Sequence, residues 1–259
     1  MSIDSEPEGR AKRRGEPEGR AKRRGEPEFA ARPQLSDDVA RYVRRRIFNG
    51  TYRAGEYLRL DQLAVELGVS VTPVREALLN LCAEGLLIQQ PRRGFVVLEL
   101  TARDIADVAN VQAFIGGELA ARAAENISDE QLAALRGIQD ELERAYEQDD
   151  LERTVRLNHE FHRTINVAAD SPKLTQFMSG ITRYAPESVF PTVSGWPKLS
   201  IRDHRRVIAA FERRDANRAR MAMAEHFTVG VAPLTDHLIE RGVISDAAAP
   251  AQSEAAGGS

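Results

Sequence analysis

Only one stretch of this chain, residues 86–98, has the character of extended strand, and the helical spacing on either side of it leaves few folds open. Leu86-Leu87-Ile88-Gln89-Gln90 and Phe95-Val96-Val97-Leu98 flank the basic turn Pro91-Arg92-Arg93-Gly94, and two short β-rich runs around a Pro/Gly turn make a hairpin. Three helices precede it. Ser36 followed by Asp37 and Asp38 is a helix start, with a capping hydroxyl and acids that suit the helix dipole; this helix runs to about Phe48, where Asn49-Gly50 stops it. Val39, Val43 and Ile47 line one of its faces. Leu60 to Leu67 reads as a short second helix ended by Gly68. Ser70 or Thr72 opens a third, with Pro73 in its first turn, Val74, Leu78 and Leu81 at helical spacing, and Gly85 as its stop.

Helix, helix, helix, hairpin is the order of a winged helix-turn-helix. From Thr101 onward every segment reads helical, over roughly 102–125, 129–147, 150–168, 173–185, 199–213 and 216–240. Ser128 with Gln131 forms a capping box, and Asp170-Ser171-Pro172 is a break. The fold class that follows is mainly α: an N-terminal winged helix-turn-helix (three helices plus a β-hairpin wing) followed by an all-α helical bundle. The expected divisions are a disordered arm over 1–33, the winged helix over 34–99, a helical effector and dimerisation domain over 100–242, and a disordered Ala/Gly/Ser-rich tail over 243–259.

The arm is a duplication: Glu6 to Gly15 recurs unchanged as Glu16 to Gly25, and Glu26-Pro27-Glu28 starts a third copy. It has too few apolar residues to offset the entropy of ordering. Its Lys-Arg-Arg clusters at 12–14 and 22–24 offer non-specific phosphate contacts, against the plainer reading of a solvated tail. Charge is uneven along the chain. Residues 1–32 and 33–98 each carry nine basic and seven acidic side chains, whereas 99–259 carry eighteen and twenty-five. A basic front suits contact with phosphate. One cysteine, Cys82, rules out an internal disulfide framework and reads as a small core residue. No apolar run approaches the ~18 residues of a membrane span, and the charged start carries no secretory signal. The expectation is therefore cytoplasmic residence, with no membrane partner.

Tyr52-Arg53-Ala54-Gly55-Glu56-Tyr57-Leu58, Leu63-Ala64-Val65-Glu66-Leu67-Gly68-Val69-Ser70 and Thr72-Pro73-Val74-Arg75-Glu76-Ala77-Leu78 resemble the GntR family of bacterial regulators. The resemblance continues through Leu81, Glu84-Gly85-Leu86 and the Gly94 turn. It implies a short second helix bracing a third that lies in the major groove of operator DNA, while the wing follows the backbone. By the same resemblance Arg75 is the leading base or phosphate contact, the alternative being a surface arginine paired to Glu76 or Glu84. Ser70 and Thr72 join it at the helix start, and Arg92 and Arg93 flank a wing tip where Gly94 lets the backbone pass close to DNA. Many family members have a basic residue at the position of Val71. The departure leaves Val71 expected against a thymine methyl instead, with Arg59 expected to supply part of the lost charge.

All five histidines lie in the helical half: His159, His162, His204, His226 and His237. Asn158 and His162 are four apart and share a helix face. His204 and His226 each lie eleven residues from Asp215, so an antiparallel hairpin sets them level, roughly 16 Å from its turn. This half resembles the FCD effector domain of the FadR-like branch of that family. The resemblance implies a divalent metal held by Asn158, His162, His204 and His226, with zinc or nickel suited to three imidazoles. His159 and His237 fall outside that face and read as surface histidines. His159-Glu160-Phe161-His162 is not a zincin motif, its histidines being three apart.

The implied effector is a small organic acid, with Gln112, Arg163 and Arg183 as further contacts. Relatives carry Arg and Glu at the positions aligned with Gln112 and Gly116, and Gly116-Gly117 invites close helix packing or a roomier cavity. The function expected is a DNA-binding transcriptional regulator, a repressor, working as a homodimer on a two-fold operator and released by its ligand. It is not an enzyme. The alternative is a metal-dependent enzyme with an accessory winged helix.

Overall fold

The computed structural model describes residues 35–184 and 189–244; the duplicated arm and the chain beyond Ile244 lie outside them. The winged helix comprises α1 (Leu35–Phe48), β1 (Tyr57–Leu58), α2 (Leu60–Leu67), α3 (Val71–Ala83), β2 (Leu87–Gln90) and β3 (Gly94–Val97). The helical part comprises α4 (Ala102–Asn126), α5 (Asp129–Glu147), α6 (Leu151–Ala168), α7 (Pro172–Ile181), α8 (Trp196–Glu212), α9 (Ala216–Val229) and α10 (Val231–Glu240). Both fall within one compact unit.

The winged helix forms around an apolar seam. Val43, Val74, Ala77, Leu78 and Leu81 are wholly buried where α1 crosses α3. The expected hairpin is present with register Leu87↔Val97 and Gln90↔Gly94. A third strand that sequence spacing does not announce pairs on its other side, Tyr57↔Val96 and Leu58↔Phe95, giving the order β1-β3-β2. Two residues carry no periodicity, so β1 exists only through its long-range partner. It also changes the role of Gly94, whose φ is +106° and where a Cβ would stand 2.8 Å from the Leu58 carbonyl oxygen. The glycine is required by the sheet itself.

In the helical part, Ser128 and Gln131 form the expected capping box, and Thr101 and Asp104 form another at the start of α4. The helix expected over 216–240 is two helices, α9 and α10, meeting at Gly230. Pro233 explains the break, since its ring removes a backbone donor and clashes one turn back. A Cβ at Gly230 would lie 2.6 Å from the Trp196 ring, so the elbow is packed tightly. The helix expected over 199–213 begins earlier, at Trp196 with Pro197 in its first turn. The segment 173–185 shortens to α7 and a 3-10 turn, Thr182–Tyr184.

Val243 and Ile244, expected at the start of the tail, are buried, and Ile244 bridges to Leu100. They belong to one apolar cluster that also holds Val39, Val43 and Phe48 of α1, Trp196, and Leu234 and Leu238 of α10. The winged helix and the end of the helical part therefore share a core. Gly50, at φ +76°, sits where a Cβ would meet the Arg241 carbonyl oxygen at 2.7 Å. Gly50→Ala is expected to lower stability by about 1–3 kcal/mol. A urea midpoint unchanged from wild type would show that this approach relaxes at no cost.

Candidate functional site

The recognition surface assembles from local rules. Helix α3 buries Val74, Ala77, Leu78 and Leu81, so the opposite side exposes Thr72, Arg75, Glu76 and Leu79, with Val71 half-buried. Ser70 occupies the cap position without a side-chain hydrogen bond to the helix, leaving its hydroxyl available. Arg75 forms no ion pair among the described residues. Its alternative partner Glu84 is taken by Arg44, whose Nε and Nη2 donate to the carboxylate at 2.6–3.0 Å. Arg59, Arg92, Arg93 and Gly94 surround one groove of about 520 Å³ between the wing and the start of α2, together with Tyr57, Leu60 and Asp61. Cys82 packs beside the core of this half, and burial pushes its thiol pKa up.

The second site lies among α5, α6, α8 and α9. Helix α6 carries Asn158 and His162 on one face, as the four-residue spacing dictates. The α8–α9 hairpin sets the rings of His204 and His226 at 4.7 Å, and His162 lies 5.3 and 5.2 Å from them. One nitrogen of each of the three histidines lies within 4.8 Å of the others. Three nitrogens bonded to one ion at about 2.1 Å stand roughly 3.4–3.6 Å apart, so a common ion requires these side chains to close by about an ångström.

The donor chemistry fits a cation. Asn158 Oδ1, His204 Nε2 and His226 Nδ1 are buried with no hydrogen-bond partner, and orphaned buried acceptors are costly unless something fills the gap. The tautomer of His204 follows from a relay. Arg205 Nε donates to Glu143 at 2.7 Å, Gln139 Nε2 donates to the same carboxylate oxygen at 2.9 Å, and Gln139 Oε1 accepts from His204 Nδ1 at 2.8 Å. The Nε2 lone pair is thereby turned toward the cluster. Phe161 stacks on the His204 ring at 3.9 Å and fixes its plane. Burial, and after it the neighbouring His226 and His162, holds His204 well below the usual imidazole pKa; burial alone lowers His226 to about 4. Both rings are neutral near pH 7.

The cluster opens into a cavity of about 650 Å³. Gln112, Arg163 and Arg183 all line it; Gln112 is buried, and the two arginines are exposed at its edge. His159 lies on that wall too, apart from the cluster. His237, expected on the surface, is half-buried with its Nε2 at 3.3 Å from the Thr192 hydroxyl. Sequence reading missed Gln139 and Trp196. Gln139 was findable as a polar residue within the apolar stripe Leu132, Leu135, Leu142, whereas Trp196, whose ring lies 5.6 Å from His226, gives no local signal.

Two family models match the chain: the FCD domain over residues 107–229, and the bacterial regulatory proteins of the gntR family over residues 35–97. It is 26% identical to the uncharacterised HTH-type transcriptional regulator YdhC of Bacillus subtilis, over 77% of this chain and 90% of that protein. It is 30% identical to an uncharacterised HTH-type transcriptional regulator from the TAR-I ttuE-ttuC' intergenic region of Agrobacterium vitis, over 49% and 74%. The solved structure of Escherichia coli McbR/YncC superposes with a TM-score of 0.64 at 25% identity, over 78% of this chain and 98% of that one.

The buried neutral histidines set a pH dependence. An unfolded histidine binds its proton near pH 6.5, while His226 in the folded, metal-free protein waits until about 4. The unfolded state thus holds more protons between these values, and stability falls as pH drops through them. The loss from His226 approaches about 3 kcal/mol by pH 4. Urea unfolding of chelator-treated wild type and His226→Gln from pH 7 to 4 measures the difference; parallel curves would refute it.

Proposed function

The chain belongs to the GntR family of bacterial regulatory proteins, with an FCD domain behind its winged helix, and we propose that it is a transcriptional repressor released from operator DNA by a small organic acid bound beside a metal ion. The relatives are transcription regulators, so the histidine cluster is not the centre of an enzyme. The observation that carries the effector reading is the cluster of His162, His204 and His226, whose ring nitrogens lie within 4.8 Å of one another, beside a cavity lined by Asn158, His162 and His226 and edged by Arg163 and Arg183.

Asn158, His162, His204 and His226 would hold the ion, and three neutral imidazoles with an amide oxygen favour zinc or nickel. When bound, the metal offers a positive centre for a carboxylate. An amide in place of a carboxylate leaves the site one charge more positive, which favours an anionic ligand. Among the described residues Arg163 and Arg183 form no ion pair, and Gln112 adds a buried amide able to donate and accept.

On the DNA side, Arg75 at the exposed front of α3 would read a base edge, with Ser70, Thr72, Arg59, Arg92 and Arg93 on phosphates and Val71 against a thymine methyl. A two-fold operator calls for a homodimer. Val111, Phe114 and Met221 support one: Phe114 and Met221 are 72% and 70% exposed on α4 and α9, which the Glu118–Arg220 ion pair joins.

Titration of the DNA upstream of the protein's own gene, at fixed salt with competitor DNA, tests the first half. Arg75→Ala is expected to weaken specific binding by about 1–3 kcal/mol, roughly 5- to 150-fold; equal binding by both proteins would remove Arg75 from the interface. Elemental analysis tests the second half. Wild type is expected to carry about one divalent ion per chain and His162→Ala far less, since losing one ligand typically costs well over tenfold in affinity. A metal-free wild type after metal supplementation would overturn the metal reading.

A further inference from the structure

The cavity that reaches the histidine cluster is not enclosed by the helical domain. Its lining also includes Asp37, Ala40, Arg41 and Arg44 of α1, Asn80 of α3 and the α3 C-cap residue Glu84. We propose that the DNA-binding half supplies part of the effector site, and that the cavity takes a short dicarboxylate with one carboxylate at the histidine cluster and the other at Arg44 and Arg41. This rests on the effector reading above and adds to it a second anchor on a different domain.

Arg44 is built for the role. Its side chain is 11% exposed and paired to Glu84, itself 10% exposed. Glu84 is the C-cap residue of α3, where the helix dipole disfavours negative charge, so the guanidinium balances both. The pairing uses Nε and Nη2 only. Nη1 has no hydrogen bond among the described residues, and Arg44 lines the cavity, so a second carboxylate would be accepted there without displacing Glu84. Arg41, one turn earlier, carries a largely exposed pair to Asp38 and adds positive potential.

The rest of the lining agrees. Among the described residues, the lining sets Arg41, Arg44, Arg163 and Arg183 against two carboxylates, Asp37 and Glu84, an excess of positive charge that concentrates anions. The same lining includes the apolar Ile105, Ala109, Met178 and Leu234. Anion-receptive groups on two different domains together with an apolar lining suit an α,ω-dicarboxylate. Such a ligand would bridge α1 to α6 and α9, so its occupancy is felt directly by the helices that present Arg75.

The test titrates metal-loaded protein with propionate and butyrate and with succinate, glutarate and adipate. It is followed by calorimetry and by fluorescence of the single tryptophan, Trp196, which lines the cavity. Wild type is expected to bind the best dicarboxylate at least about tenfold more tightly than either monocarboxylate. Arg44→Gln/Glu84→Gln, which replaces the ion pair by two neutral amides, is expected to lose that preference while keeping monocarboxylate affinity. Glu84→Gln alone is expected to keep or strengthen it. If the double variant does not fold, exposed Arg41→Gln carries the test, with the preference reduced several-fold.

A dicarboxylate preference that survives in the double variant, or in Arg41→Gln where that variant carries the test, overturns the shared site and leaves the effector reading standing. Equal binding of both series by wild type overturns the second anchor in the same way. No binding of either series overturns both.

Discussion

The close approach of α4 to α9 is the constraint on which the helical domain rests. A Cβ at Gly116 would stand 2.3 Å from the Phe227 ring, and one at Gly117 would stand 3.1 Å from the Arg220 carbonyl oxygen. Each helical glycine costs roughly 0.5–1 kcal/mol relative to alanine, and the contact it permits offsets that. The approach also places His226, next to Phe227, beside His162 and His204, and leaves Gly116 as part of the cavity wall. Moving α9 outward by the thickness of a methyl group would open the histidine cluster before it disturbed the outer helices. The Glu118–Arg220 pair on the same seam is 2.7 Å long but 32% and 41% exposed, so packing rather than charge holds the helices together.

Burial then sets the chemistry. His204, stacked on Phe161, and His226, beside Trp196 and Phe227, have no solvent to share a charge, so the neutral form is imposed by desolvation. Neutral imidazoles are ligands rather than anion partners, which divides the work in the cavity. On the proposed function, the cluster would receive a cation, and the arginines at the edges would receive anions. The relay from Arg205 through Glu143 and Gln139 to His204 keeps this division by fixing which ring nitrogen carries the proton.

Much of this was legible in the sequence, and the misses share a cause. Helices α1 to α6 follow from caps and apolar spacing, and His204 and His226 were placed level by counting from Asp215, because local geometry decides those features. Strand β1, the tight packing at Gly230 and the burial of Ile244 depend on partners distant in the chain, Val96, Trp196 and Leu100 respectively. Local periodicity carries no information about them. Gly94 shows the subtler failure: its glycine was read from what lies outside the protein, whereas the Leu58 carbonyl beside it is sufficient reason.

Trp196 ties the two halves together physically. Its ring lies 5.6 Å from His226 and 4.5 Å from Phe190, yet it belongs to the same apolar cluster as Val39, Val43 and Phe48 of α1. A change at the histidine cluster therefore meets the core of the winged helix through one rigid side chain, rather than through a flexible linker. A ligand shifts a regulator only by its differential affinity for two arrangements. On the proposed function, the two arrangements would differ in how α1 sits against Trp196 and α10, since both belong to one close-packed core. An occupant that altered this contact would be read at α3, because α1 and α3 share a fully buried seam and the Arg44–Glu84 pair.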